Sequence, residues 1–372
     1  MDNVTHSLVG AALAHTGLKR WTSLATPTLM LGANFPDLDI VTGLFSTPIY
    51  LEYHRGITHS IIAIPILSLL LAGLMYAASQ WWRRTHPDWQ PAKFSPLFVL
   101  SLLSISTHPL LDFTNSYGWR PFLPWNHQWC YGDIAFVADP WLWVGLGGTL
   151  MLITASNKLR LSFWAILFLA LAVPVIVYDG AGVGVKFAWF ATVAIFFGLR
   201  AQLNLPQRAA QNLMRMVVLT LLAYFGLLIW LHQTAINKTQ AGAAQKIQAG
   251  EHLINIDALP LPTNPFLWQT VISTDKAFYL SQLNLLAAQP EAGKRYERES
   301  GETAAIQAAL REPEIQAFQR FARFPVIEAQ HNEDQTTKIK IRDARFSGLN
   351  ERATSTFQTS ILLNQQLHRI VE

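Results

Sequence analysis

The stretch HRGITHSIIAIPILSLLLAGLMYAASQ, residues 54–80, starts with two histidines and an arginine and runs straight into an uncharged apolar segment. From Thr58 onward it is long enough to cross a hydrocarbon layer, which takes about 20 residues. Ionisable side chains at the edge of such a segment mark a functional site, because a desolvated charge is costly unless it is paired or bound to metal. Three similar clusters flank it: Thr5-His6-Ser7, Asn34-Phe35-Pro36-Asp37-Leu38-Asp39, and Thr107-His108-Pro109-Leu110-Leu111-Asp112. Acids are scarce around them. Residues 1–237 hold nine, and three of those are Asp37, Asp39 and Asp112.

Working outward, further spans are expected near 95–113, 141–157, 161–179, 185–200 and 213–232, making about six long spans with 58–80. Before them lie two shorter apolar stretches, 4–18 and 22–35, either a hairpin crossing within protein or a re-entrant pair. Charge changes sharply along the chain: residues 1–237 carry 22 of the 52 Asp, Glu, Lys and Arg, and the last 135 carry the other 30. Two domains are therefore expected, a helical membrane domain over 1–237 and an extracytoplasmic α+β domain over 238–372. The basic balance (pI about 9.2) comes in this first part from short loops between spans, so nucleic acid is not an expected partner. The opening Met1-Asp2 lacks the basic stretch of a signal peptide. Cys130 is the only cysteine, which rules out an intramolecular disulfide and a thiolate zinc knuckle.

Threading all eight segments as crossings, with the N-terminus outside, puts ten cations on the cytoplasmic side and only Arg55, Arg120 and Lys186 on the other. This is a positive-inside distribution. It brings His6, Asp37, Asp39, His54, His59, His108 and Asp112 to one extracytoplasmic face, and the charged C-terminal region with them. A re-entrant first pair leaves the result unchanged.

These seven residues are the candidate metal ligands. His108 and Asp112, four apart, share one helix face. Asp37 and Asp39, two apart, point to opposite sides of an extended or turning segment; the bland alternative is a turn followed by a helix cap. His54 and His59 could instead be interfacial histidines bonded to backbone, and His6 counts only through its company. Imidazoles mixed with carboxylates suit zinc, manganese or iron. Seven ligands exceed the need of one tetrahedral ion, so one or two divalent ions are expected, with some residues supporting the ligands. Arg55 is the candidate phosphate clamp; its alternatives are a salt bridge to Glu52 or snorkelling to the headgroup layer. The loop 114–139 is long and aromatic enough to be functional, and offers Asn115, Asp133 and Asp139 as substrate-binding candidates. Asp133 and Asp139 could equally cap the next helix.

The opening Met-Asp-x-x-Thr-His-Ser-Leu-x-Gly, Asn-Phe-Pro-Asp-Leu-Asp, His-Arg-Gly-Ile-Thr-His-Ser, and His-x-x-x-Asp followed by Asn115-Ser116-Tyr117-Gly118 together resemble the YdjM-like membrane-bound metal-dependent hydrolases over roughly residues 1–180. The resemblance implies a multispan protein of the bacterial inner membrane with metal-dependent hydrolase activity.

Past His232 the chain turns polar. A Gln/Ala-rich stretch, 239–250, continues as helix or linker. Strands are expected near 268–274, 277–284, 325–330, 336–346 and 355–363, with helix over 302–323 split at Pro313. Trp268, Asp343 and Arg345 are candidates to face the membrane site, and a protein partner for this region is an open option.

The combined expectation is a hydrolase acting at the outer leaflet on an amphiphilic phosphoester, such as a phospholipid or polyprenyl phosphate. One or two divalent metals, zinc foremost, would activate water; Arg55 would hold developing charge, and an unligated aspartate, Asp39 or Asp112, would serve as base. The alternatives are a noncatalytic scaffold or regulator pinned by metal and a metal-ion transporter. The near absence of charge in spans 141–232 argues against the transporter.

Overall fold

The computed structural model describes residues 1–287, 293–346 and 357–370. Its N-terminal region is helical and carries five helices long and apolar enough to cross a membrane, followed by a soluble sheet-containing domain. Two compact units emerge: one formed by residues 1–39, 55–230 and 260–265, the other by 40–54, 231–259 and 266–372.

In the first unit, α1 (Asn3–His15) starts where Asp2 caps it, accepting the Thr5 amide at 3.0 Å and the Trp143 indole N–H at 3.2 Å. A short 3-10 turn around Lys19 leads to α2 (Ala25–Gly32), so the two weak N-terminal stretches form a short helical hairpin. Small residues set its spacing. A Cβ on Gly10 would sit 2.5 Å from the Leu29 carbonyl oxygen, and one on Gly32 would sit 2.9 Å from Ser104 Cβ. Gly10→Ala has to displace backbone, and is expected to cost about 1–3 kcal/mol, read as a lower unfolding temperature in detergent; an unchanged temperature would show that the hairpin can spread freely.

The long helices are α4 (Ala63–Thr85), α5 (Phe94–Phe113), α7 (Lys158–Val177), α8 (Val183–Gln202) and α9 (Gln207–Lys246); α3 belongs to the second unit. Leu69, Leu70 and Phe163 face outward from them, as apolar residues do against lipid. Within the span expected at 141–157, α6 runs from Pro140 to Thr154. At about 22 Å it is shorter than the roughly 30 Å hydrocarbon layer. It is almost wholly buried, with Trp164, Phe168 and Trp189 in the cluster around it, so its apolarity matches a protein environment as well as a lipid one. At the far end, α9 extends to Lys246, so most of the Gln/Ala-rich stretch is helix.

The second unit has a four-stranded sheet, β1 (Leu253–Pro260), β2 (Leu267–Thr274), β3 (Ala277–Asn284) and β4 (Lys294–Glu297), in that order. Its five-stranded sheet runs β5 (Glu299–Ser300), β6 (Pro325–His331), β7 (Thr337–Asp343), β8 (Gln358–Leu363), β9 (Arg369–Ile370), with β5 parallel to β6 and the rest antiparallel. The period of two in β7 buries Thr337, Ile339, Ile341 and Asp343. This strand ends at Asp343 rather than 346, because the Asp343 carboxylate turns the chain by accepting the Arg345 amide at 2.9 Å and the Arg323 amide at 2.7 Å. Pro313 separates α10 (Thr303–Ala309) from α11 (Pro313–Phe321), against which α3 (Thr47–Tyr53) packs. Residues 355–356 of the expected last strand lie outside the described residues. The short edge strands β4, β5 and β9, and β1 with its exposed Leu253 and Ile254, lacked a clear alternation in sequence.

Candidate metal centre

Four segments of the first unit meet at one point. α5 presents His108 and Asp112 one turn apart, as their spacing predicts. A 3-10 segment, Phe35–Leu44, carries Asp37 and Asp39, and a 3-10 turn, Ile57–His59, carries His59. α1 contributes His6, whose ring stacks on His108 with centroids 3.8 Å apart.

The central contacts form a near-regular figure. His59 Nε2 lies 3.1 Å from His108 Nε2. Asp37 Oδ1 is 3.3 Å from each of these nitrogens. Asp112 Oδ2 is 3.5 Å from His59 Nε2 and 3.4 Å from His108 Nε2. Four ligands at zinc bond lengths on a tetrahedron would be separated by about 3.3 Å, so these five edges match one ion with two nitrogen and two oxygen donors. The cluster could hold a metal ion.

The far nitrogens show which way each ring is protonated. His108 Nδ1 is 2.6 Å from the Ala33 carbonyl, which only accepts, so Nδ1 donates and Nε2 presents its lone pair to the centre. His59 Nδ1 is 3.1 Å from Asp39 Oδ2 and holds that ring the same way. Asp37 and Asp39 thus address opposite edges of one imidazole, which is how residues two apart both reach it. Two lone pairs facing each other at 3.1 Å repel unless a metal ion or a proton lies between them. Charge points the same way: the carboxylates of Asp37, Asp39 and Asp112, 12%, 6% and 1% exposed, meet in the cluster, where Arg55 and the Met1 amino group both lie on Asp112.

Arg55 sits at φ 53° with Nη2 on Asp112 Oδ1 at 2.9 Å. Its Nη1 donates to Asn115 Oδ1 and to the Gly118 carbonyl, both at 3.0 Å, and Tyr117 lies under the guanidinium. The Asp112 carboxylate also meets the Met1 amino group and, at 3.5 Å, His6 Nε2. Neither ring nitrogen of the fully buried His6 makes a hydrogen bond, and neither does Asn115 Nδ2. At the more open edge, Asn3 Nδ2 donates to Asp37 Oδ2 at 2.8 Å.

The loop 114–139 braces this arrangement. Trp119 Nε1 donates to the His59 carbonyl at 2.6 Å, Ile61 N donates to the Pro121 carbonyl, and Trp119 pairs with Cys130 across a two-residue bridge. Asp133 is buried at φ 52°. Asp139 is the N-cap of α6, accepting from Trp141 and Leu142 amides and from the Tyr224 hydroxyl at 2.9 Å. In the second unit, His54 ends α3 and stacks on Tyr50, and Glu52 pairs with Arg320 at 3.2 Å. Asp343 and Arg345 pair with each other at 2.7 Å inside that unit, and Trp268 is buried there beside His232.

Sequence reading missed several supports: Thr58, whose hydroxyl donates to Asp39 at 2.8 Å, the Ala33 carbonyl, Asn3, and the Trp119 indole. Thr58 is named in a quoted motif, so its signal was present without its role, whereas Asn3 falls at an unspecified position of the opening motif. A backbone carbonyl leaves no trace in sequence.

Residues 1–183 match the YdjM inner membrane protein family, and together with the five long apolar helices this match supports a multi-pass inner-membrane protein. An uncharacterized protein, YfhP, of Bacillus subtilis (strain 168) is 26% identical over 152 residues, 39% of this chain and 43% of that protein. The chain thus spans less than half the length of that relative. No solved structure matches.

Proposed function

With residues 1–183 matched to that inner-membrane family as the premise, we propose that the protein is a membrane-embedded, metal-dependent hydrolase acting at the outer leaflet on an amphiphilic phosphoester. The observation that carries this is the 3.1 Å approach of two Nε2 atoms whose Nδ1 atoms are both committed to acceptors. Asp37, His59, His108 and Asp112 would hold one divalent ion, zinc by the fit of the edges and the mixed nitrogen and oxygen donors. Such an ion supplies Lewis-acid polarisation of a phosphoryl or carbonyl oxygen and activates water.

The protein's own groups do the rest. Asp39 fixes the tautomer and orientation of His59, a carboxylate–histidine support that raises ligand basicity. Arg55, committed to Asp112, Asn115 and Gly118, acts here as a positioning residue rather than a phosphate clamp. Asn115 retains an amide donor, which supports a substrate-facing role for it. Asp139 is occupied in starting α6. Asp37, the most exposed of the three carboxylates, marks the edge where a headgroup enters.

A metal that only pins helices is the second reading, favoured by the same four donors, which could close a tetrahedron. The two separate in one assay. Purified, zinc-loaded protein is incubated in detergent with phosphatidic acid, phosphatidylglycerol and a polyprenyl phosphate. Release of headgroup or phosphate is expected, falling about tenfold or more in Asp37→Asn. Metal-loaded protein that hydrolyses none of them would leave the pinning role.

A further inference from the structure

A cleft of about 570 Å³ lies between the hairpin of α1 and α2 on one side and α6 and α7 on the other, inside the first unit. Its size is that of a ligand site. Asn3 and Ser7 line one end, Leu8, Ala11, Leu150 and Leu167 line its length, and His15, Thr26 and Thr154 add polar groups to an otherwise apolar wall. The polar end adjoins the metal cluster directly: Asn3 donates to Asp37 at 2.8 Å, and Asn34, next to that segment, donates to Ser7 at 3.0 Å. Its walls include Met30 and Phe163, 38% and 60% exposed, so the cleft opens sideways to its surroundings. Hydrocarbon is the matching surrounding, since α7 is one of the five helices long and apolar enough to cross a membrane.

Length selects the occupant. From Asn3 to His15, both of which line the cleft, α1 rises about 18 Å. The hydrocarbon of one leaflet is about 15 Å deep, half of the roughly 30 Å layer. An apolar cleft of one leaflet's depth, open to lipid and ending at polar groups on the metal cluster, fits one hydrocarbon tail of a lipid whose headgroup lies at Asp37. We infer that this cleft binds an acyl chain of a membrane phospholipid and thereby positions its headgroup at the cluster. The substrate assignment rests on the hydrolase reading; the binding of the chain does not.

The test uses full-length protein in phosphatidylglycerol vesicles doped with phosphatidylglycerol that carries a photoreactive diazirine at the end of one acyl chain. After irradiation, the labelled residues are mapped by peptide mass spectrometry. Labels are expected on α1 near Ala11 and on α6 near Leu150, above the background on the outward-facing Leu69 and Leu70 of α4. Ala11→Trp, which fills the cleft, is expected to lower that labelling about fivefold or more with bound metal unchanged; Leu167→Trp from the opposite wall repeats the test. Labelling no stronger in the cleft than on Leu69 and Leu70 overturns the inference. So does labelling that neither variant lowers, or that a polyprenyl phosphate displaces where unlabelled phosphatidylglycerol does not. Cleft labelling without hydrolysis retains the lipid site and removes the reaction, whereas hydrolysis without cleft labelling does the reverse.

Discussion

Replacing His59 or His108 by alanine should abolish metal binding at the proposed centre. The two Nε2 atoms and the Asp37 and Asp112 oxygens form edges of 3.1–3.5 Å, so each histidine supplies one of four donors. Wild type loaded with zinc and dialysed is expected to retain about one equivalent by elemental mass spectrometry, and the alanine variants about a tenth of that or less. Asp112→Ala should behave in the same way. Asp39→Asn removes only the carboxylate behind His59, so the expected loss is in affinity, about 10–100-fold. His6→Ala separates one ion from two: His6 stacks on His108 and meets Asp112 Oδ1 rather than the central Oδ2, so the single-ion reading expects near-full retention. Wild type that takes up no zinc, manganese or iron, or histidine variants that retain it, would refute the metal centre.

Arg55→Ala is expected to be the most destabilising single change outside the ligands. Arg55 and Asp112 are 4% and 1% exposed and 2.9 Å apart. In the metal-free protein, removing Arg55 leaves Asp112 with the Met1 amino group as its cationic neighbour, at a cost of up to about 3–5 kcal/mol. Arg55 also ties Asn115 and the Gly118 carbonyl of the bracing loop, so Arg55→Lys should recover only part of the loss, since an ammonium cannot repeat the planar fork. Unfolding followed in detergent for the single variants and for Arg55→Ala/Asp112→Asn completes a cycle. If the cost is charge, the double variant regains much of the stability while remaining without metal. A single variant as stable as wild type would show that Asp112 is neutralised by other means.

The expected site was legible because ionisable residues are conspicuous in apolar sequence. His108 and Asp112 were placed on one face by helical spacing alone, and the structure has them there. For Asp37 and Asp39 the spacing indicated opposite directions, which proved to be opposite edges of the His59 ring. Arg55 was legible as a charge beside the cluster, but its partner was not. The sequence offered Glu52, three residues away, whereas the guanidinium rests on Asp112, and Glu52 pairs with Arg320. Asp139 kept both of its readings until Tyr224 and the α6 amides were seen to occupy it.

Composition and periodicity by themselves determined the order of elements: a helical membrane region, a break at Pro313, and an alternating strand over Lys338-Ile339-Lys340-Ile341-Arg342 in a soluble sheet domain. These depend on local properties, namely the apolarity of a run, the missing N–H of a proline, and the alternation of faces along a strand. Tertiary structure alone decided which atoms meet. The Ala33 carbonyl on His108, the Asn3 amide on Asp37, the Trp119 indole on the His59 carbonyl and the lipid-sized cleft beside α1 join residues far apart in the chain. Their geometry follows from how close the helices pack, which Gly10, Gly32 and Ser104 set through contacts that no single segment contains.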